Sequence, residues 1–62
     1  MTKKQMLAIG QYIVDVYGAT IEEVRIQKDG SYMIYADDHG DAFCCEISPQ
    51  EWSDYAKECG VN

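Results

Sequence analysis

The stretch VRIQKDGSYMIYADDHGDAFCCEI, residues 24–47, decides the fold of this protein. It contains two turn signals, Asp29-Gly30 and the polar segment DDHGD at 37–41, and the first is typical of a β-hairpin. The runs around these signals have strand composition and predict β-strands over 21–28, 31–36 and 42–47. Strands that follow one another through such short connections pair antiparallel, so the sequence predicts a three-stranded antiparallel meander.

The first turn leaves two registers open for the first two strands. A two-residue turn pairs Val24 with Tyr35, whereas a three-residue turn ending in a left-handed glycine pairs Val24 with Ile34. The choice matters because a slip of one residue exchanges the inner and outer faces of a strand. The sequence Lys28-Asp29-Gly30 suits a type I turn followed by a left-handed glycine, which favours the second register. The inner face is then predicted to carry Tyr32, Ile34 and Ala36, and the outer face Met33 and Tyr35.

A helix is predicted before the sheet, over residues 3–17. Thr2 and Gln5 have the spacing of a capping box, and Gly18 suits a left-handed C-terminal cap. The apolar arc of this helix is wider than the stripe of an ordinary surface helix. Gly10 lies inside the arc, which predicts a close approach of the helix to the sheet. The residues expected on the arc are Met6, Ile9, Ile13, Val16 and Tyr17, flanked by Leu7, Tyr12 and Val14.

A second helix is predicted after the sheet, over residues 49–59. The sequence Ser48-Pro49-Gln50-Glu51 places serine at the N-cap, proline at the first helical position and glutamate at the third. Trp52 lies on the apolar stripe of this helix and is expected to anchor it on the sheet. The fold class is therefore α+β, in the order α-β-β-β-α. Residues 1–62 make one small domain, with both helices on one face of the sheet.

Charge and composition exclude several function classes. The chain has 62 residues with 11 acidic and 5 basic side chains, a net charge of −6. Direct binding to nucleic acid or to an anionic membrane requires a basic surface, so neither is expected. No apolar run approaches the roughly 20 residues of a membrane span, and the N-terminus lacks the features of a signal peptide. Three cysteines cannot all pair within one chain, which indicates reduced thiols and a cytoplasmic location.

No pattern for catalysis or metal binding emerges from the sequence. His39 is the single histidine, and a pairing with a cysteine is conceivable, but Cys45 and Cys59 fall on predicted core faces. The cysteines lack the spacing of a zinc site, and the segment from Asp37 fails the glycine and glutamate positions of an EF-hand loop. We therefore expect no enzyme activity, no cofactor and no metal.

The distribution of acidic residues is the most informative feature of the composition. Residues 29–56 contain seven acids and neither lysine nor arginine. On the second helix three acids form one ridge, and the pair Asp54 and Glu58 repels at i,i+4, which costs local stability. Solubility alone would explain such a surface, and binding to a basic partner would as well. The residues predicted for partner binding are Asp37, Asp38, Asp41, Glu51, Asp54 and Glu58.

The outer face of the sheet is an alternative interface. With both helices on one side, the other side is left bare and carries Met33, Tyr35 and Arg25 in the favoured register. Aromatic residues, methionine and arginine are enriched at protein interfaces. This face, together with the wide apolar arc of the first helix, would serve a protein–protein interaction module or a homodimer.

In element order and acidic charge the whole chain resembles the small phage-encoded inhibitors of host defence nucleases, including the anti-CRISPR proteins that occupy a DNA-binding groove. The resemblance involves no sequence motif, so it assigns no individual residue. It implies a DNA mimic whose carboxylates stand where phosphates would lie. The partner would then be the basic surface of a nucleic-acid-binding protein such as a nuclease, in the host cytosol if the chain is phage-encoded.

Overall fold

The computed structural model describes residues 1–61 and has the predicted α-β-β-β-α order. A helix, a sheet of three strands in the order β1-β2-β3 and a C-terminal helix follow one another, and all neighbouring strands are antiparallel. No helix within residues 1–61 combines the length and apolarity that crossing a bilayer requires. The elements are α1 (Lys3–Val14), a short 3-10 helix (Asp15–Tyr17), β1 (Thr20–Ile26), β2 (Tyr32–Asp38), β3 (Asp41–Ile47) and α2 (Pro49–Glu58).

Both helices begin at the capping boxes that the sequence predicts. The Thr2 hydroxyl accepts a hydrogen bond from the Gln5 backbone N–H at 3.1 Å, and the Gln5 side chain accepts one from the Thr2 N–H at 2.8 Å. Ser48 and Glu51 repeat the arrangement at the start of α2, at 3.2 and 3.4 Å. Each box gives partners to two backbone donors that the helix itself cannot satisfy.

The register of β1 and β2 is the one favoured by the turn chemistry. Val24 pairs with Ile34, and Gly30 takes the left-handed conformation with φ +89°. The Gly30 N–H donates to the Gln27 carbonyl at 3.0 Å, as a type I turn requires. Ile34 is accordingly fully buried on the inner face of β2.

The connection between β2 and β3 is shorter than the polar loop predicted over 37–41, and that prediction is wrong. Asp37 and Asp38 belong to β2 and Asp41 belongs to β3, so only His39 and Gly40 form the turn. Both turn residues have positive φ, 54° and 98°, as a two-residue type I′ turn needs. Histidine tolerates that conformation better than most residues, which allows the strands to extend further than expected.

A β-bulge at Glu22 lets β1 present two apolar side chains to α1. Ile21 pairs with Ala36 and Glu23 with Tyr35, so Glu22 has no partner of its own on β2. Ile21 and Val24 consequently both contact the helix, although they are three residues apart. A Cβ atom at Gly10 would lie 2.9 Å from Ile21 Cδ1 and 3.0 Å from Val24 Cγ2, which confirms the predicted close approach.

The core lies between the inner face of the sheet and the two helices, as predicted. Trp52 is 2% exposed and stacks on Tyr32, with ring centroids 4.0 Å apart and planes 6° from parallel. The prediction that Trp52 anchors α2 on the sheet is thereby confirmed. The buried apolar residues are Ile9, Ile13, Val14, Ala19, Ile34, Ala36, Ile47, Trp52 and Ala56.

The end of the first helix departs from the predicted arc. Val16 and Tyr17 were expected on the inner face but are 78% and 63% exposed. After Val14 the chain tightens into the 3-10 helix, and this change of residues per turn rotates the following side chains away from the core. Ile26 is also 60% exposed, because it lies at the end of the edge strand β1.

Candidate functional site

Three of the six predicted binding acids cluster where β2 meets β3, and we call Asp37, Asp38 and Asp41 the turn acids. The Asp37 carboxylate accepts a hydrogen bond from the Gly40 N–H at 3.1 Å, so it helps to build the turn. Asp38 lies 2.8 Å from the His39 ring nitrogen Nδ1. The hydrogen bond and the negative charge of Asp38 raise the pKa of His39. Asp41 is exposed, and its carboxylate has no hydrogen-bond donor among residues 1–61.

The other three predicted acids, Glu51, Asp54 and Glu58, lie exposed on α2, and we call them the helix acids. Glu51 is engaged in the capping box, and Asp54 accepts a hydrogen bond from the Gln50 amide at 3.2 Å. Glu58 lies beside Tyr12, and its hydrogen bond and charge raise the pKa of the Tyr12 hydroxyl. All three carboxylates therefore already have neutral partners.

The turn acids and the start of α2 lie at opposite ends of the β2–β3 hairpin. Asp38 pairs with Asp41 at one end, and Tyr32 pairs with Ile47, just before α2, at the other. Six residue steps of about 3.3 Å each make this distance about 20 Å. The predicted acidic side is thus built from two separate groups of carboxylates.

Few of the carboxylates are neutralised by basic side chains. Arg25 with Glu23 is the single lysine or arginine ion pair within residues 1–61, and His39 with Asp38 becomes a second ion pair when His39 is protonated. Lys57 forms no ion pair with Asp54, one turn of helix away. None of the turn or helix acids is paired with lysine or arginine in the described part of the chain.

The alternative interface lies on the outer face of the sheet, as the register requires. Met33 and Tyr35 are half-buried in the central strand, and the Arg25 guanidinium lies 5.6 Å from the centre of the Tyr35 ring. Cys44 of β3 pairs with Tyr35 of β2 and is exposed. The core helices pack on the opposite face, so these side chains meet no other element of residues 1–61.

Residues 1–61 form at least two cavities that open at the surface. One, of about 400 Å³, lies between the start of α2 and the first turn and is lined by Tyr32, Trp52 and Lys57 among others. The Trp52 indole nitrogen is buried, and it has no hydrogen-bond partner among residues 1–61. The other cavity measures about 270 Å³ and is lined by Tyr17, Asp38, Phe43 and Cys45.

The second cavity is a feature that the sequence reasoning missed. The sequence predicts Tyr17 on the inner face of the first helix, but its ring stands edge-on to Phe43, with centroids 5.9 Å apart. Gly18 is the residue in the sequence that points to this position of Tyr17. Its left-handed conformation ends the helix and directs the chain towards β1.

Two of the three cysteines have the environments of packing residues, and Cys44 is exposed. Cys45 and Cys59 pack against the core as predicted, and burial raises the pKa of both thiols. A raised pKa lowers the fraction of reactive thiolate. Within residues 1–61 no three histidine, cysteine or acidic side chains are grouped so as to hold a metal ion.

Comparisons with protein families, with curated proteins and with solved structures gave no match to this chain.

Proposed function

We propose that this protein is a non-enzymatic inhibitor that occupies the basic surface with which a partner protein binds nucleic acid. The observation that supports this function most directly is the state of the carboxylates. The turn acids and the helix acids have no lysine or arginine partner among residues 1–61, and most of them face solvent. Unpaired carboxylates of this kind are available to arginine and lysine side chains of another protein.

The mechanism is competition with nucleic acid. Carboxylates take the positions of phosphates opposite the partner's arginines, which bind both groups through two parallel hydrogen bonds. The net charge of −6 attracts a basic surface and raises the association rate at low salt. No covalent bond is formed or broken, so inhibition is stoichiometric and reversible.

The six acids differ in how freely they can engage a partner. Asp37 supports the turn, and Glu51 supports the start of α2. Asp41, Asp54 and Glu58 stabilise no turn or helix start. The contacts that Asp54 makes with Gln50 and Glu58 with Tyr12 lie at the surface. These three are the positions where charge reversal tests binding with the least effect on folding.

The experiment compares two triple variants with the same net charge. Asp41→Lys, Asp54→Lys and Glu58→Lys alter the proposed surface. The matched control carries three reversals at exposed acids elsewhere, namely Asp15→Lys, Glu22→Lys and Glu23→Lys. Circular dichroism must show the native fold for both variants before binding is compared.

The binding measurement uses a partner captured from a nuclease-treated host lysate and then purified. We expect the surface variant to lose at least about tenfold in affinity and the control to lose much less. Both variants lose the same long-range attraction between charges, but only the surface variant also loses direct contacts with the partner. Wild-type affinity should fall steeply with salt, and duplex DNA should compete for the same partner. Equal affinity for both variants, or binding that does not change with salt, would contradict the proposal.

The outer face of the sheet supports a second candidate, a protein–protein interaction module or homodimer. The observation in its favour is the half-buried pair Met33 and Tyr35, with Arg25 stacked beside it, on a face that no helix of residues 1–61 covers. Association through this apolar centre would be insensitive to salt. Tyr35→Ala would abolish it and would leave the salt-dependent binding unchanged.

A further inference from the structure

The edge of β3 is an unpaired strand edge of regular geometry. β3 pairs with β2 over all seven of its residues without a register shift, and within residues 1–61 no strand lies on its other side. It contains neither proline nor lysine, two of the residues that protect an edge, and its charged residues are Asp41 and Glu46. The edge of β1 differs, because the bulge at Glu22 interrupts it. Of the two edges, β3 is the one suited to receive another strand.

The turn geometry fixes which backbone groups of β3 point outward. In a two-residue hairpin the residues that flank the turn face each other as a hydrogen-bonded pair, and inward and outward groups then alternate along the strand. Asp38 and Asp41 flank the His39–Gly40 turn. The outward N–H and C=O groups of β3 are therefore those of Ala42, Cys44 and Glu46.

The smaller cavity lies beside this edge, on the inner side of the sheet. Phe43 and Cys45 belong to β3 and face inward between the outward backbone groups, and Tyr17 and Asp38 complete the lining of the 270 Å³ space. Two aromatic rings form apolar walls, and the Asp38 carboxylate, which also contacts His39 Nδ1, supplies a negative charge. An arginine or lysine fits such a space, since its stem packs on the rings while its charged end reaches the carboxylate.

We propose that β3 binds an extended basic segment of the partner as a fourth strand, with an arginine or lysine side chain in the cavity between Tyr17, Phe43 and Asp38. Backbone hydrogen bonds to the strand edge provide affinity, and the cavity selects the side chain, as in other cases of strand addition. This inference rests on the proposed function, because it takes the partner to be basic. It adds a specific element of the partner, an extended segment, to the general attraction of charges.

Charge favours a basic segment over a second copy of this chain. Each copy carries a net charge of −6, and residues 29–56, which include all of β2 and β3, contain no lysine or arginine. Pairing of two β3 edges would bring two such regions together without compensating charge. A basic segment instead meets Asp41 and Glu46 along the edge and Asp38 of β2 in the cavity.

The test uses a fluorescent nonapeptide of alternating valine and arginine, blocked at both ends, and measures its binding by fluorescence anisotropy under reducing conditions. Cys44→Pro removes an outward N–H, and proline is tolerated where the N–H of an edge strand faces solvent. Cys44→Ser is the matched control, since it changes the side chain and keeps the N–H. A second probe is the same peptide with N-methyl groups on alternate amides, which prevents strand pairing without any change to the protein.

We expect Cys44→Pro and the N-methylated peptide each to weaken binding by about tenfold, the effect of losing a hydrogen bond together with the added steric clash. Cys44→Ser should bind as the wild type does. In the complex, the backbone amides of Ala42, Cys44 and Glu46 should become protected from hydrogen exchange. Tyr17→Ala should weaken binding of the arginine peptide more than binding of a peptide with alanine at the arginine positions.

Three results would overturn the inference. The first is equal binding of the methylated and unmethylated peptides to the wild type, and the second is no binding of the arginine peptide at all. The third is a dimer that Cys44→Pro dissociates, because a second copy would then occupy the edge. The proposed function would survive each of these results, since charge reversal at Asp41, Asp54 and Glu58 decides it separately with the purified partner.

Discussion

Replacement of Gly10 by alanine measures how closely α1 lies on the sheet. Alanine is favoured over glycine inside a helix by about 1 kcal/mol. The added Cβ would nevertheless lie 2.9 and 3.1 Å from two atoms of Ile21 and 3.0 Å from Val24, well inside the normal contact distance of about 3.5–4.0 Å. Extra atoms in a packed core typically cost about 1–3 kcal/mol, so we expect Gly10→Ala to lower the free energy of unfolding by about 1 kcal/mol.

A double-mutant cycle with Ile21→Val identifies the cause. Valine lacks the Cδ1 atom that makes the closest contact, and in the wild type this loss costs about 1 kcal/mol. In the Gly10→Ala background the same change relieves the clash and should cost almost nothing, which gives a coupling of about 1 kcal/mol. Ala8→Gly, at an exposed position of the same helix, calibrates the helix propensity alone.

The assay is urea unfolding followed by circular dichroism, with thermal unfolding as a second measure. For a domain of this size 1 kcal/mol corresponds to about 4–8 °C in the melting temperature, which is readily measured. If Gly10→Ala stabilises the protein by the amount that Ala8→Gly destabilises it, or if the two substitutions of the cycle are additive, the helix does not lie against Ile21 as described.

Trp52→Ala should lower the free energy of unfolding by about 3–5 kcal/mol, because it removes a buried ring stacked on the sheet; an unchanged urea midpoint would show that the ring does not anchor α2. His39 should titrate by NMR with a pKa above the ordinary histidine value, and Asp38→Asn should return it towards that value. Since the folded pKa is raised, the contribution of this pair to stability is present at acidic pH and is lost as the pH rises through that pKa. Cys44 should react first with a thiol reagent, because it is exposed while burial raises the pKa of Cys45; equal labelling rates by mass spectrometry would contradict this order.

The features predicted correctly from the sequence are those set by neighbouring residues. The capping boxes at Thr2 and Ser48 depend on side chains three positions apart, and the register depends on the left-handed Gly30. In each case a short segment has one favourable conformation, and its residues reveal which. Gly10 was also interpretable, because a glycine inside an apolar helical arc has few explanations other than close packing.

The features that were missed depend on contacts distant in sequence. The bulge at Glu22 is favourable because it lets two apolar side chains of β1 pack against α1. No residue near Glu22 in the sequence indicates that the strand contains a bulge. Likewise Tyr17 turned out to be exposed because the helix tightens where it meets the sheet. Of the candidate site, the sequence identified the acids, but it did not reveal that Asp37 and Glu51 also support the turn and the helix start.

The bulge in β1 also limits how many copies of this sheet could ever join. A fibril grows because every added chain presents a fresh edge for the next one, and this requires two usable edges on each molecule. Here the irregular edge at Glu22 leaves a single usable one. Any strand addition at β3 is therefore terminal: it yields a closed one-to-one assembly, and a concentrated solution of this protein should remain free of amyloid-type growth.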